Sequence, residues 1–215
     1  MPNVANEREI DVANADYWLD RHEKLEGDIR SVGNKGLDIP TNEAASENIR
    51  QLLRTFLPEL IGSRSRATVL DLGCGIGRFA PVFIDLGLDY EGIDLSPVAV
   101  RQAKAANPQG RFAVASLLDW EPARTYDIVF IAYVLCHCVS DRAWGAALRA
   151  VSRSLRNDGT AIIFDRFEAE RRTYSDYVLE RSFQEAVAGF ADVYLTLASM
   201  PMHPNLHVAT RGSRK

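Results

Sequence analysis

The sequence predicts an α/β fold. The expected form is a three-layer sandwich: a mostly parallel seven-stranded sheet with one antiparallel strand near its edge, helices on both faces and an N-terminal helical extension. Three observations predict it. From Ala67 onward, strand-like and helix-like segments alternate and end in two closely spaced β-rich stretches. One strand, Tyr126–Tyr133, is an almost continuous apolar run, the pattern of a parallel strand buried on both faces. The first strand also runs straight into Gly73, Gly75 and Gly77, three glycines at alternate positions, before a helical stretch begins.

The elements follow in order. Ala13, Tyr17, Trp18, Leu25 and Ile29 sit among charges at near-helical spacing and predict a first helix over Ala13–Ile29. Ser31–Pro40, with Gly33, Asn34 and Gly36, reads as a loop. Thr41 is placed to cap a second helix that carries Ile49, Leu52, Leu53, Phe56 and Leu57 and stops near Pro58 or Gly62. Residues 1–62 are therefore expected to form a helical extension or lid packed on a core of residues 63–215. In that core, strand Ala67–Leu72 leads to helix Arg78–Leu86, and strand Tyr90–Asp94 to helix Val98–Ala106. Strand Arg111–Ala115 precedes a loop holding Asp119, Trp120 and Pro122. After Tyr126–Tyr133 come helix Arg142–Leu155, a turn at Asn157-Asp158-Gly159 and strand Thr160–Asp165. A helix over Ser175–Ala188 and the β-rich segments Asp192–Ala198 and Leu206–Thr210 close the chain.

Composition narrows the class of function. The 215 residues are 47% hydrophobic and 25% charged, ordinary for a globular domain of this size. The net charge of −4 supplies no positive field to draw nucleic acid or an anionic membrane, so neither is expected as a partner. The basic clusters Arg64/Arg66 and Arg211/Arg214/Lys215 read as solvated surface. The first residues lack an apolar signal core, no apolar run approaches a membrane span, and Cys74, Cys136 and Cys138 form no disulfide framework. A cytoplasmic location is expected.

Chemistry concentrates in Asp71-Leu72-Gly73-Cys74-Gly75-Ile76-Gly77-Arg78. Glycines let the backbone turn sharply and let a ligand approach closely, and the following helix would offer unpaired N–H groups. An acid beside such a turn suits a ligand bearing both a carboxylate and an amine. The spacing is not that of a dinucleotide turn, because Arg78 stands where the third glycine would fall, and no Gly-Lys-Ser/Thr ending marks a P-loop. Glu91-Gly92-Ile93-Asp94-Leu95-Ser96-Pro97 then reads as a strand ending in an acid, a Ser cap and a Pro at the first helical position. Asp94 follows Gly73 by about twenty residues, where nucleotide-binding α/β folds place a carboxylate for ribose hydroxyls.

These two elements together resemble the first motifs of class I, Rossmann-like S-adenosylmethionine-dependent methyltransferases, and the resemblance extends over about Ala67 to Arg211. It implies S-adenosyl-L-methionine as cofactor, with S-adenosyl-L-homocysteine as product. It also implies a binding set of Asp71, Gly73, Cys74, Gly75, Gly77, Asp94 and Leu95. Where the family usually offers an acid to the adenine amine, this chain has Ser116, followed by Leu117 as packing and an N–H for the ring. Tyr133 would lie against the methionine portion, and Tyr17 and Trp18 would cover the donor. The segment Tyr133-Val134-Leu135-Cys136-His137 resembles the family's fourth-strand end, and Leu155–Thr160 its lead-in to the fifth strand. Two absences count as well: no Asp/Asn-Pro-Pro-Tyr/Phe tetrad and no Pro-Cys pair, the marks of nucleic-acid base methyltransferases.

The acceptor is therefore expected to be a small molecule methylated on oxygen or nitrogen. A tRNA or protein methyltransferase and a non-catalytic S-adenosylmethionine-binding module stand as alternatives. His137, at the carboxyl end of the fourth strand, is the candidate general base, with an ordinary pKa near 6.5 that suits proton removal near neutrality. A structural role closing the strand-to-helix loop is the competing reading. Cys136-His137-Cys138 has no second cluster to complete a metal site, and no metal is expected. Arg166, Arg171, Arg172 and Tyr174 follow the fifth strand, where arginines would suit an anionic acceptor or simply a solvated face.

Overall fold

The computed structural model describes residues 4–62 and 66–211. The expected boundary at residues 62 and 63 and the basic residues Arg64, Arg214 and Lys215 lie outside or against the edge of the described residues. Five strands, β1 (Thr68–Leu72), β2 (Asp89–Asp94), β3 (Arg111–Val114), β4 (Tyr126–Ala132) and β5 (Leu155–Phe164), pair in parallel in the order β3-β2-β1-β4-β5. Strand β9 (Leu206–Arg211) then pairs antiparallel with β5 on one side and with the edge strand β8 (Leu195–Ser199) on the other. The seven-stranded sheet with one antiparallel strand near its edge is the expected one.

The pleat decides which helices cover which face. Ile128 and Phe130 of β4 join one core cluster, and Val129 and Ile131 join the other, because successive side chains of a strand point to opposite faces. The first cluster is closed by α2 (Ile39–Ile61), α3 (Ala80–Asp85) and α4 (Pro97–Ala106). The second is closed by α5 (Asp141–Ser154) and α6 (Phe183–Asp192), and every residue of β4 is buried between them. Helix α1 (Val4–Lys24) touches α4 from one layer and α5 from the other, so it bridges the sheet instead of covering a face.

Several local expectations change. Helix α1 ends at Lys24, not Ile29: Gly27 takes φ 80° and breaks the run, and Ile29–Ser31 form a separate 3₁₀ turn whose Arg30 N–H donates to Asp28. Asp38, not Thr41, caps α2, its carboxylate accepting from the Thr41 N–H at 2.8 Å. The Asn157-Asp158-Gly159 turn lies within β5, where Leu155 pairs with Tyr126 and Thr160 with Ile128, leaving the intervening residues opposite Asp127 alone. The helix expected over Ser175–Ala188 begins only at Phe183, with Ser182 and Glu185 forming a capping box. The residues before it fold instead into a hairpin of β6 (Arg172–Ser175) and β7 (Val178–Glu180). Arg211, expected as solvated surface, donates to the carbonyls of Ser152 and Leu155 at the end of α5. Among the described residues no helix is long and apolar enough to cross a membrane.

Candidate active site

A cleft opens at the carboxyl ends of β1 and β4, the point where the strand order reverses and where open α/β sheets bind ligands. It encloses about 1130 Å³ of free space, its open mouth included. Its floor is the turn after β1. Gly73 and Gly75 hold φ of 76° and 55°, and an added Cβ would lie 2.5 Å from Val134 Cγ2 and 2.6 Å from Val32 Cγ1, so only glycine fits either position. The turn is sewn to β2: the Gly73 and Cys74 N–H groups both donate to the Ile93 carbonyl, at 2.8 and 2.9 Å.

Two carboxylates and one guanidinium flank this turn. The Asp94 oxygens accept from the N–H groups of Gly75 and Ser96, each at 2.9 Å, while burial pushes the carboxyl's pKa upward against those bonds. Ser96 caps α4 as expected, accepting from Ala99 N–H. Asp71 is 2% exposed and accepts from the Tyr90 hydroxyl at 2.7 Å; burial outweighs that bond and lifts its pKa to about 7. Arg78 lines the same cleft and donates to Ser46 Oγ. Among the described residues it makes no ion pair, and burial lowers its pKa to about 10. Sequence reasoning missed Arg78; its position directly behind the glycine turn was the available signal.

The remaining walls come from four places. Leu95, Ser116 and Leu117 line the end beyond β2 and β3, and the Ser116 hydroxyl also accepts from Leu118 N–H. Tyr133 lines the β4 end with φ 54°, a conformation a bulky residue adopts only under strain; its N–H, held by the Phe164 carbonyl at 2.8 Å, fixes it there. Val32 of the 3₁₀ segment's edge and Asn14, Trp18 and His22 of α1 form the roof.

His137 stands in a 3₁₀ turn, Leu135–His137, and lines the cleft beneath Trp18, their rings meeting edge-on at 4.5 Å. Cys136 belongs to the same turn, and Cys138 directly follows it. The Tyr177 carbonyl at the hairpin tip accepts from His137 Nδ1 at 2.8 Å, which fixes the tautomer and leaves Nε2 as the ring's acceptor. Burial drives the ring's pKa down to about 4, well below the ordinary value assumed from sequence.

Two expected residues lie off the cleft. Gly77 packs against Asn107 and Ala103 of α4, which brings that helix close to the turn. Tyr17 is turned outward, stacked on Tyr177 at 3.9 Å with Lys35 over its ring, so it holds the hairpin to α1 and does not face the cavity. Arg171 is engaged by Asp141 and Glu185, Arg166 by Glu180, and Arg172 covers Tyr174; none of them lines the cleft.

Residues 69–159, which hold every floor residue just described, match the family model of a methyltransferase domain. Over that segment, 91 of the 215 residues, the chain is similar to a methyltransferase domain. It is 31% identical over 117 residues to a ubiquinone biosynthesis O-methyltransferase of Nitrosomonas europaea, a stretch that is 52% of this chain and 48% of that one. The chain spans less than half the length of the curated relatives it matches. Among solved structures it is similar to the DhpI–S-adenosylhomocysteine complex (22% identity, TM-score 0.66, 94% of this chain and 96% of that one). It is also similar to the 1,6-didemethyltoxoflavin-N1-methyltransferase of Burkholderia thailandensis with bound 1,6-didemethyltoxoflavin and S-adenosylhomocysteine (22% identity, TM-score 0.63, 97% and 90%). At these identities the structural likeness speaks for the fold.

Proposed function

We propose that this protein transfers a methyl group from S-adenosylmethionine to an oxygen or nitrogen of a small-molecule acceptor. The observation that carries the reading is the set of charges around the glycine turn: Asp71 and Asp94, and Arg78, which makes no ion pair among the described residues, all line one cleft. The residues fit an amino-acid-bearing nucleoside. Arg78 suits the methionine carboxylate, and Asp71, made costly to ionise by burial, suits the ammonium group that would stabilise its charged form. Asp94 keeps lone pairs beyond its two backbone bonds and can accept from ribose hydroxyls. Leu95, Ser116 and Leu117 would frame adenine. When bound, S-adenosylmethionine supplies a methyl group already activated on a sulfonium.

The chain's own task is then positioning. Orientation of two reactants is worth roughly 7 kcal/mol or more of barrier. Trp18, Asn14 and His137 line the cleft beside α1, Tyr133 lines its β4 end, and the one carboxylate α1 adds, Asp11, is engaged by Arg142 and Ser140, which favours an uncharged acceptor portion there. The bare His137 Nε2 can accept a proton or a hydrogen bond from the acceptor, while Nδ1 stays committed to Tyr177. With its pKa near 4 it is a weak base, so it serves best to orient an O–H or N–H and take the proton as the methyl bond forms. The homologous ubiquinone and toxoflavin enzymes, by their names, act on small molecules, which supports the acceptor class. Calorimetry with S-adenosylhomocysteine and NAD, followed by a methyl-transfer assay over a metabolite panel, tests the reading. Tight NAD binding without S-adenosylhomocysteine binding overturns it.

A further inference from the structure

His22 is one of the most enclosed polar side chains of the protein, at 3% exposure, and both its ring nitrogens are buried without a hydrogen-bond partner among the described residues. A buried imidazole usually has at least one nitrogen satisfied, because each orphaned polar atom forfeits the bonds it made in water. The Trp18 carbonyl, one helical turn back, faces the ring without reaching hydrogen-bond geometry. The ring instead lines the cleft, in company with Gly75, Asp94 and Leu95.

Its position is held from several sides. The neighbouring Arg21 guanidinium donates to the carbonyls of Arg30 and Gly33, which pins the end of α1 to the loop carrying Val32. Beyond the helix, Glu26 pairs with Arg101 at 2.7 Å and the Gly27 N–H donates to Gln102 Oε1 at 2.9 Å. Both partners belong to α4, the helix that Ser96 caps two residues after Asp94. His22 and Asp94 are thus fixed relative to one another by contacts outside the cleft.

We propose that His22 is a donor-binding residue that completes the ribose subsite begun by Asp94. The chemistry of a vicinal diol calls for such a pair. A carboxylate can only accept, so it takes the hydroxyl hydrogens and leaves the sugar oxygens wanting a donor. An imidazole N–H supplies one. Burial keeps the ring in its neutral form against the pull of the Asp94 carboxylate, and the Arg21 guanidinium works in the same direction as burial. A neutral imidazole retains one N–H in either tautomer. This inference rests on the S-adenosylmethionine reading above and adds to it a residue outside the matched segment 69–159.

The test is calorimetry on the full chain with S-adenosylhomocysteine and with its analogue lacking both ribose hydroxyls, for wild type, His22→Phe and His22→Gln. The phenylalanine variant should bind S-adenosylhomocysteine about tenfold more weakly, as for one lost hydrogen bond, and bind the dideoxy analogue as wild type does. Glutamine, which keeps an N–H donor, should recover most of the affinity. Equal losses for both ligands would assign His22 to packing, and no loss for either would remove it from the site. Should the phenylalanine variant fold poorly, wild-type ring-nitrogen NMR decides: the His22 shifts should move with S-adenosylhomocysteine and not with the dideoxy analogue, and identical responses overturn the proposal. A folded wild type that binds no S-adenosylhomocysteine refutes the donor reading itself, an outcome distinct from a variant that binds normally.

Discussion

The floor and the roof of the cleft are built by different physics. The floor is backbone: a left-handed glycine turn whose N–H groups are tied to the Ile93 carbonyl and the Asp94 carboxylate, set between β1, β2 and β4. The roof is side chain. Helix α1 and the β6–β7 hairpin meet through the Tyr17–Tyr177 stack, the Trp18–His137 edge contact and the bond from His137 Nδ1 to Tyr177. A floor made of backbone tolerates no added atom at its turns. A roof made of rings over a surface helix can loosen without unfolding the sheet.

The largest expected effect comes from violating the floor. Gly73→Val forces a branched side chain into φ 76° and against Val134, adding strain of about 1–3 kcal/mol to an overpacking cost of about 1–3 kcal/mol. S-adenosylhomocysteine binding should be lost and the thermal midpoint should fall; calorimetry and thermal unfolding read both. Next is the wall where roof and floor meet. His137→Ala should lower kcat by roughly 10²–10⁴-fold with donor affinity nearly unchanged, if Nε2 takes the acceptor proton. At saturating donor the wild-type kcat should then fall only as pH drops toward 4, because a base with a lowered pKa stays competent down to that value. A limb that persists unchanged in His137→Ala, or loss of donor binding along with turnover, would return His137 to a structural role.

Asp94→Ala removes a charged acceptor from the floor and should cost roughly 1.5–3 kcal/mol of S-adenosylhomocysteine affinity. Unchanged affinity would exclude it. Donor affinity should also depend on pH through Asp71. With its pKa raised by burial to about 7, the carboxyl is protonated below neutrality and must give up that proton to meet an ammonium group. Affinity should therefore rise with pH, by about tenfold between pH 6 and 8, and Asp71→Asn should flatten the profile. Smallest is the roof by itself. Tyr177→Ala removes one stacked pair, worth about 0.5–1.5 kcal/mol, and should leave the melting point nearly unchanged. Hydrogen exchange should nonetheless show α1 less protected, and equal protection would mean that the stack does not hold the helix down.

The contrast between floor and roof is also the contrast between what the chain spells out and what it does not. Strand periodicity, the glycines, Asp71, Asp94 and the Ser96 cap are local patterns, and each recurs in the structure at the place its neighbours in sequence imply. The mostly parallel sheet with one antiparallel strand near its edge followed from the alternation of strands and helices, whereas the strand order is a finding of the structure. The hairpin after β5 escaped, because Tyr174–Glu180 carries no helix-breaking residue, and only Ser182 with Glu185 marks the true helix start. Arg78 and His22 escaped for another reason: a cation with no ion pair and an imidazole with no hydrogen bond among the described residues are defined by what is absent around them in space.

By itself, then, the sequence determined the α/β class, the succession of strands and helices up to β5 and the turn that forms the cleft's floor, since these depend on residues near one another in the chain. Only the tertiary structure decided that α1 bridges both helical layers, that Tyr17 turns outward to the hairpin, and that burial moves Asp71 to about 7 and His137 to about 4. Those outcomes turn on desolvation and on contacts between segments far apart in the chain, 75 residues for Glu26 and Arg101. Neither quantity exists until the chain has folded.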